Sequence, residues 1–279
     1  MDLVAQLTQL INENIGTGRT SLPVFNKIAL KLQQELSKSE PDQHIIKKMI
    51  SNDPSLTGQL LKVANSAYYK GMEDVTTVQE AIFRLGTAEV GNIVLLITQK
   101  SNFQSKDAYI QEIMNRLWKH SVGCAIGAKW VANKCGCSDL SNQAFTAGLL
   151  HDVGKLFILT VIDSLVLSGH EEIKAPLKTL NRIMAELHLV HGYSLMKIWA
   201  LPEIYCEVVR DHHKEKIDSK NILLPIIKLV DMVCNKIGLG IAPDSGYVPE
   251  ETGEAKILGL GDIDIAELEI KLEDAKFLF

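Results

Sequence analysis

Cysteine is scarce, with five residues in a chain of 279, an odd number without the spacing of a disulfide framework. Cys135-Gly136-Cys137 sets two of them close together but lacks the gap of a redox CxxC pair. A reducing, cytoplasmic setting is the expectation. The first residues, Met1-Asp2-Leu3-Val4, agree with it, having neither a cationic lead nor an apolar run. Long hydrophobic runs are missing as well. The longest uncharged apolar stretches, around Val90–Thr98 and Leu156–Ile162, fall far short of the roughly 20 residues that cross a bilayer. No basic excess exists either: 29 Lys and Arg stand against 34 Asp and Glu, a net charge of −5, so no nucleic-acid partner is expected. A Gly-rich phosphate loop is also wanting, since Gly238-Leu239-Gly240 lacks the strand and helix that would support one.

What is present is an ordinary globular composition, 46% hydrophobic and 23% charged, long enough for one or two domains. Apolar residues recur at helical spacing throughout, and alternation is absent, so the fold class read from the pattern is all-α. Helices are expected over Asp2–Ile15, Phe25–Leu36, a segment opened by Asp53-Pro54, Val78–Arg84 and Val90–Lys100. Ser21-Leu22-Pro23, Ser37–Pro41 and Lys70–Thr76 read as turns or loops between them. A polar stretch, Lys100–Tyr109, divides the chain into helical parts of residues 1–105 and 106–279. Beyond it, helices are expected over Leu117–Lys134, Asn142–Leu150, Lys155–Leu167, Leu177–Trp199, Pro202–His212, Leu223–Lys236 and Ile263–Ala275. The segment Gly238–Gly261 reads as loop. Small residues at Ser121, Gly123, Cys124, Ala125, Gly127 and Ala128 imply a crowded helix core.

The chemistry-bearing residues are histidines and acids. Eight histidines and 34 acidic residues beside five cysteines place any metal in a nitrogen and oxygen site. In Leu149-Leu150-His151-Asp152-Val153-Gly154-Lys155-Leu156, a histidine and an aspartate sit inside an apolar segment. A carboxylate buried there needs a cation or several donors, and so does Asp231, set mid-helix among Leu229, Val230, Met232 and Val233. His120 lies on the small-residue helix, His188 and His191 share a helix face, and His212-His213 end a helix. Any one of them alone is an ordinary core or surface histidine, as His44 and His170 are expected to be. Together with two buried aspartates they point to a shared metal site for Zn²⁺, Fe, Mn²⁺ or Ni²⁺. Asn65-Ser66 is expected to make helix–helix hydrogen bonds, and Tyr68-Tyr69 and Trp199 to pack.

The ordered set His120, His151-Asp152, Asp231 resembles the H…HD…D signature of the HD metal-dependent phosphohydrolase superfamily. His188 and His212-His213 fall where the HD-GYP phosphodiesterase branch has further histidines. The resemblance implies metal ligands at His120, His151, Asp152, His188, His212, His213 and Asp231, with one or two ions able to polarise phosphate and activate water. Lys155 would contact a phosphoryl oxygen, with Asp152 and Lys155 as the catalytic pair. The segments Ile50-Ser51-Asn52-Asp53-Pro54-Ser55-Leu56-Thr57, Leu61-Lys62-Val63-Ala64-Asn65-Ser66-Ala67 and Ala81-Ile82-Phe83-Arg84-Leu85-Gly86 closely resemble the HDOD family. Trp199-Ala200-Leu201-Pro202 and Asp211-His212-His213 do so too, and the similarity covers about residues 18–235.

That likeness implies a helical amino-terminal portion packed on an HD-like helical portion, in a bacterial signalling protein with protein partners. Many HDOD members lack part of the metal set, whereas this chain keeps all of it. Unlike HD-GYP enzymes, it has Lys214-Glu215-Lys216-Ile217-Asp218 after the histidine pair and Arg116 where some place a glutamate. This departure argues against a third metal and against cyclic di-GMP. Two functions follow: a signalling or regulatory module with an intact metal site, or an active phosphohydrolase on nucleotides or cyclic nucleotides.

Overall fold

Short polar side chains cap the starts of most of the early helices. The computed structural model describes residues 3–18, 22–36, 38, 41–69, 71–170, 173–215, 220–241, 243, 246 and 248–275, and every regular element among them is helical. Ser21, most of the expected Ser37–Pro41 stop, Lys70 and Lys216–Asp218 lie outside the described residues. The chain divides into two compact units, Val24–Asn102 with residues 274–279, and residues 1–23 with Phe103–Glu273. Helix α1 (Leu3–Gly16) belongs to the second of these.

The smaller unit contains α2 (Lys27–Leu36), α3 (Gln43–Ser51), α4 (Pro54–Ala64), α5 (Val78–Leu85) and α6 (Thr87–Lys100). Asp53 caps α4 by accepting a hydrogen bond from the Leu56 N–H, and Pro54 takes the first position, where it has no bond to lose. Thr77 caps α5 in the same way through Glu80 N, and Gly86, at φ +81°, turns the chain directly into α6. That turn lets α6 begin three residues before the expected Val90. Helix α3 was not expected. Asp42 caps it by accepting from His44 N and Ile45 N, and Ile46 and Ile50 bury its inner side beside Leu32, Leu60 and Ile93. Asn65 does not bridge helices. Its side chain donates to Val75 O and accepts from Val75 N, both at 2.9 Å, fastening the loop between α4 and α5. Tyr68 and Tyr69 meet edge to face, and the Tyr69 hydroxyl donates to Glu89.

The larger unit is built on α7 (Ala108–Lys134), which Asp107 caps and which starts nine residues before the expected Leu117. Around it lie α8 (Ser141–Leu150), α9 (Val153–Leu167), α10 (Leu177–Ile198), α11 (Glu203–Asp211) and α12 (Leu223–Lys236). Two glycines let backbones touch. A Cβ at Gly148 would overlap the Cys124 carbonyl, so α8 rests directly on α7, and one at Gly154 would overlap the His188 carbonyl, so the start of α9 rests on α10. Helix α1 packs on α9 and α10. Trp199 both packs and donates its indole N–H to Pro23 O. The Gly238–Gly261 segment is not all loop: it holds a 3-10 turn at Pro249–Glu251 and α13 (Gly253–Leu258), capped by Thr252 and closed by left-handed Gly259. Helix α14 (Asp262–Asp274) follows. Among the described residues, no single helix is long and apolar enough to cross a membrane.

Candidate metal centre

The centre is assembled from five places in the larger unit. His120 projects from the middle of α7, and His188 from α10. His151 and Asp152 occupy the break between α8 and α9. Asp152 stands at the N-cap of α9, yet its carboxylate makes no capping bond and turns inward instead. His212 closes α11 with His213 following it, and Asp231 comes from α12. His151, Asp152, His188, His212 and His120 are all buried, the Asp231 side chain is 14% exposed, and His213 stays at the exposed rim.

Each buried imidazole is oriented by a backbone carbonyl. His151 Nδ1 lies 2.8 Å from Gly148 O, His188 Nδ1 2.8 Å from Met184 O, His212 Nδ1 3.0 Å from Val208 O, and His120 Nδ1 3.2 Å from Leu239 O. A carbonyl only accepts, so each Nδ1 carries the proton and donates, and each Nε2 faces the centre. This is the orientation of a histidine metal ligand.

The inward atoms form two lobes that share Asp152. In the inner lobe, His120 Nε2 lies 3.3 Å from His151 Nε2, 3.1 Å from Asp231 Oδ1 and 3.5 Å from Asp152 Oδ2. In the outer lobe, Asp152 Oδ1 lies 3.6 Å from His212 Nε2 and 3.8 Å from His188 Nε2. Those three outer atoms are buried and have no hydrogen-bond partner. Leaving three such atoms unsatisfied is unfavourable by about 1–3 kcal/mol each, so their convergence is what a cation site would produce. The donor set is compatible with a divalent metal, and the residues fit that group.

Buried groups of both charges face one another at the centre. Burial raises the Asp152 carboxyl, but Lys155, whose Nζ sits 2.6 Å from Oδ2, and the surrounding histidines hold it well below the usual carboxylate range. Burial likewise works against ionised Asp231, and His120 brings it down. His120 loses to burial but gains more from Asp152 and Asp231, ending at about 10. Burial drives His151 down to about 4 and His188 to about 3, so both present neutral nitrogen lone pairs. Two cations, His120 and Lys155, therefore face two carboxylates. The positive partner that Asp231 demanded is His120.

A cleft of about 410 Å³ reaches the centre, lined by His120, Asp152 and Lys155 within and by Asn181, Arg182 and His213 further out. His191 does not join it, although it lies one turn from His188. Its ring meets Phe157 and its Nε2 approaches Asn12 Oδ1. The sequence reading missed two neighbours. One is the Leu239 carbonyl, whose only trace was the Gly-Leu-Gly turn. The other is Cys124, whose Sγ is 3.6 Å from His120 Nε2 and whose i, i+4 spacing from His120 was the available signal.

Comparison with known proteins agrees with this architecture. Residues 22–215 match the HDOD domain family. An HDOD domain protein of unknown function from Geobacter sulfurreducens superposes with a TM-score of 0.75 at 22% identity, covering 98% of this chain and 95% of that one. A candidate metal-dependent phosphohydrolase of Shewanella amazonensis SB2B gives a TM-score of 0.71 at 18% identity, over 99% of both chains. A candidate signal transduction protein of Marinobacter aquaeolei VT8 gives 0.66 at 19% identity, covering 91% of this chain and 57% of that one. An uncharacterized protein of Treponema pallidum (strain Nichols) is 24% identical over 217 residues, 76% of this chain; those residues span 41% of that protein's length.

Proposed function

Because the chain belongs to the HDOD family, we propose that it is a signal-transduction protein organised around a divalent-metal centre that receives a phosphate-bearing small molecule. The observation that carries this reading is the convergence of the three unpartnered buried atoms, Asp152 Oδ1, His188 Nε2 and His212 Nε2. His120, His151, Asp152 and Asp231 would hold one ion, and Asp152, His188, His212 and His213 a second, with Fe, Mn, Zn and Ni all suited to the donors. The ligand-bearing residues all fall within 106–279, the second of the two helical parts. Free thiols throughout the described residues fit a reducing, cytoplasmic compartment.

A bound divalent cation would polarise a phosphoryl oxygen and make water a better nucleophile. The protein's own contribution is order and charge. The backbone carbonyls hold the imidazoles in register, and Asp152 fixes the Lys155 ammonium at the inner wall of the cleft. If an ion displaces the His120 proton, the centre gains one positive charge, which favours an anion in the cleft. Lys155 also favours a second reading, hydrolysis of the bound phosphoester, because its ammonium can stabilise charge that grows on a phosphoryl oxygen.

The test is metal analysis of protein purified without chelators, followed by binding and turnover assays with phosphomonoesters, nucleotides and cyclic nucleotides. Stoichiometric metal that disappears in Asp152→Ala is the expected result; a metal-free wild type overturns the proposal. Metal-dependent turnover lost in Lys155→Ala selects the enzyme, and ligand binding without turnover selects the regulatory module.

A further inference from the structure

Resting on that metal reading, we propose that Asn235 is a positioning residue for the inner ion: it holds the Asp231 carboxylate in its ligating pose, and Gly240 leaves it the room to do so. Asn235 stands four residues after Asp231 on α12, so the two side chains share a face. Its Nδ2 donates to Asp231 Oδ1 at 2.9 Å and to the Asp231 main-chain oxygen at 3.0 Å. The same Oδ1 lies 3.1 Å from His120 Nε2. A carboxylate oxygen has two lone pairs, so one takes the amide N–H and the other is left for a cation.

The turn after α12 closes on this pair. Gly238, at φ +81°, reverses the chain, and the Leu239 N–H donates to Cys234 O at 2.8 Å, the closure of a Schellman motif. The Leu239 carbonyl then meets His120 Nδ1, while its side chain lies on α7 at Gly123, where a Cβ would stand 3.2 Å from Leu239 Cδ1. Gly240 follows and is buried. A Cβ there would overlap Asn235 Oδ1 and crowd Asn235 Cγ at 3.1 Å, yet would stand an ordinary 3.7 Å from Asn235 Cα. A methyl group at position 240 therefore displaces the amide and not the helix. One turn thus orients two of the inner ligands, His120 through a carbonyl and Asp231 through Asn235. Asn235 and Gly240 stay outside the donor set, and partners that orient a ligand from there typically govern about 10–100-fold in metal affinity.

Zn²⁺ titration of chelator-stripped protein against a chromophoric chelator, in phosphate-free buffer, tests this. The binding step that Asp231→Ala removes identifies the inner ion; if Asp231→Ala removes none, the metal reading of this lobe falls and the proposal with it. Asn235→Ala should keep that step and weaken it at least about tenfold. Gly240→Ala should weaken it too, but Asn235→Ala/Gly240→Ala should bind as Asn235→Ala does, because without the amide the added methyl has space. Equal affinity in wild type and Asn235→Ala overturns the role of Asn235 alone, as do losses that multiply in the double variant. Visible absorption of the Co²⁺-loaded proteins separates positioning from a general loosening of the fold. Asn235→Ala should shift the bands as the Asp231 oxygen moves, and unmoved bands refute the assignment. A Zn²⁺-bound crystal structure of the wild type needs no variant: Asn235 Nδ2 within about 3.2 Å of the metal-bound Asp231 oxygen supports it, and an amide turned away from Asp231 refutes it.

Discussion

Replacing Asp152 with asparagine removes one charge and almost no volume. Its side chain is 1% exposed, and its oxygens meet Lys155 at 2.6 Å, His120 and His151 at 3.5 Å, His212 at 3.6 Å and His188 at 3.8 Å. The substitution leaves Lys155, its side chain only 21% exposed, without its closest counter-charge. Breaking a buried pair from one side typically costs about 3–5 kcal/mol. The metal-free Asp152→Asn protein should lose that much stability in urea denaturation at pH 7, with an unchanged slope. Lys155→Met should lose less, because protonated His120 still faces the carboxylate. The informative variant is the double one. With both charges gone, no unpaired ion remains, and Asp152→Asn/Lys155→Met should recover at least about 2 kcal/mol relative to the sum of the single changes. Losses that add to within about 0.5 kcal/mol would refute the account of the centre as a mutually neutralising set of ions.

Gly154→Ala should lower the melting temperature by roughly 5–10 °C, because its methyl group meets the His188 backbone rather than a yielding side chain; an unchanged melt would contradict the packing of α9 on α10. His120 is held at about 10 when folded, against 6.5 as the ordinary value. Folded metal-free protein thus keeps a proton that the unfolded chain loses: the added stability is fully present below about pH 6.5 and drains at about 1.4 kcal/mol per unit toward pH 10. Urea titrations between pH 7.5 and 9 should show that slope, and His120→Gln should flatten it by a similar amount; an equal slope in both proteins would contradict the assignment. Asn65→Ala strands the N–H and C=O of Val75 and should cost about 2–3 kcal/mol in the same assay, whereas a loss under about 0.5 kcal/mol would mean the loop is held by other contacts.

Local rules made much of this fold readable. Asp53-Pro54 and Leu85-Gly86 mark helix ends by capping and by left-handed backbone, and the structure places helix boundaries at both. Helix α3 escaped notice because nine residues between two proline-marked breaks are too few for a periodic signal, and its cap, Asp42, follows another turn residue. The opening of α7 escaped because Ala108–Arg116 carries a polar exposed face that reads as linker. At the centre, histidines and aspartates inside apolar helices announced themselves, since an isolated buried charge is too costly to occur without a partner. Spacing could not separate His188 from His191, which share a face; only the packing of α1 and α9 draws His191 away. Leu239 contributes a main-chain atom 119 positions from His120, and no side-chain pattern reports such a contact.

The donors come from α7, the α8–α9 break, α10, the end of α11 and α12. Only His151-Asp152 and His212-His213 are neighbours in sequence, so the unfolded chain offers a cation two weak bidentate fragments and nothing better. Affinity for a cation would therefore belong almost wholly to the completed tertiary structure, and nearly all of its binding free energy would become folding free energy, about 2.7 kcal/mol at a hundredfold excess over Kd. Nascent or truncated chains would be poor competitors for a limited cellular metal pool. Occupancy of the proposed centre would then report that the helical unit has finished folding.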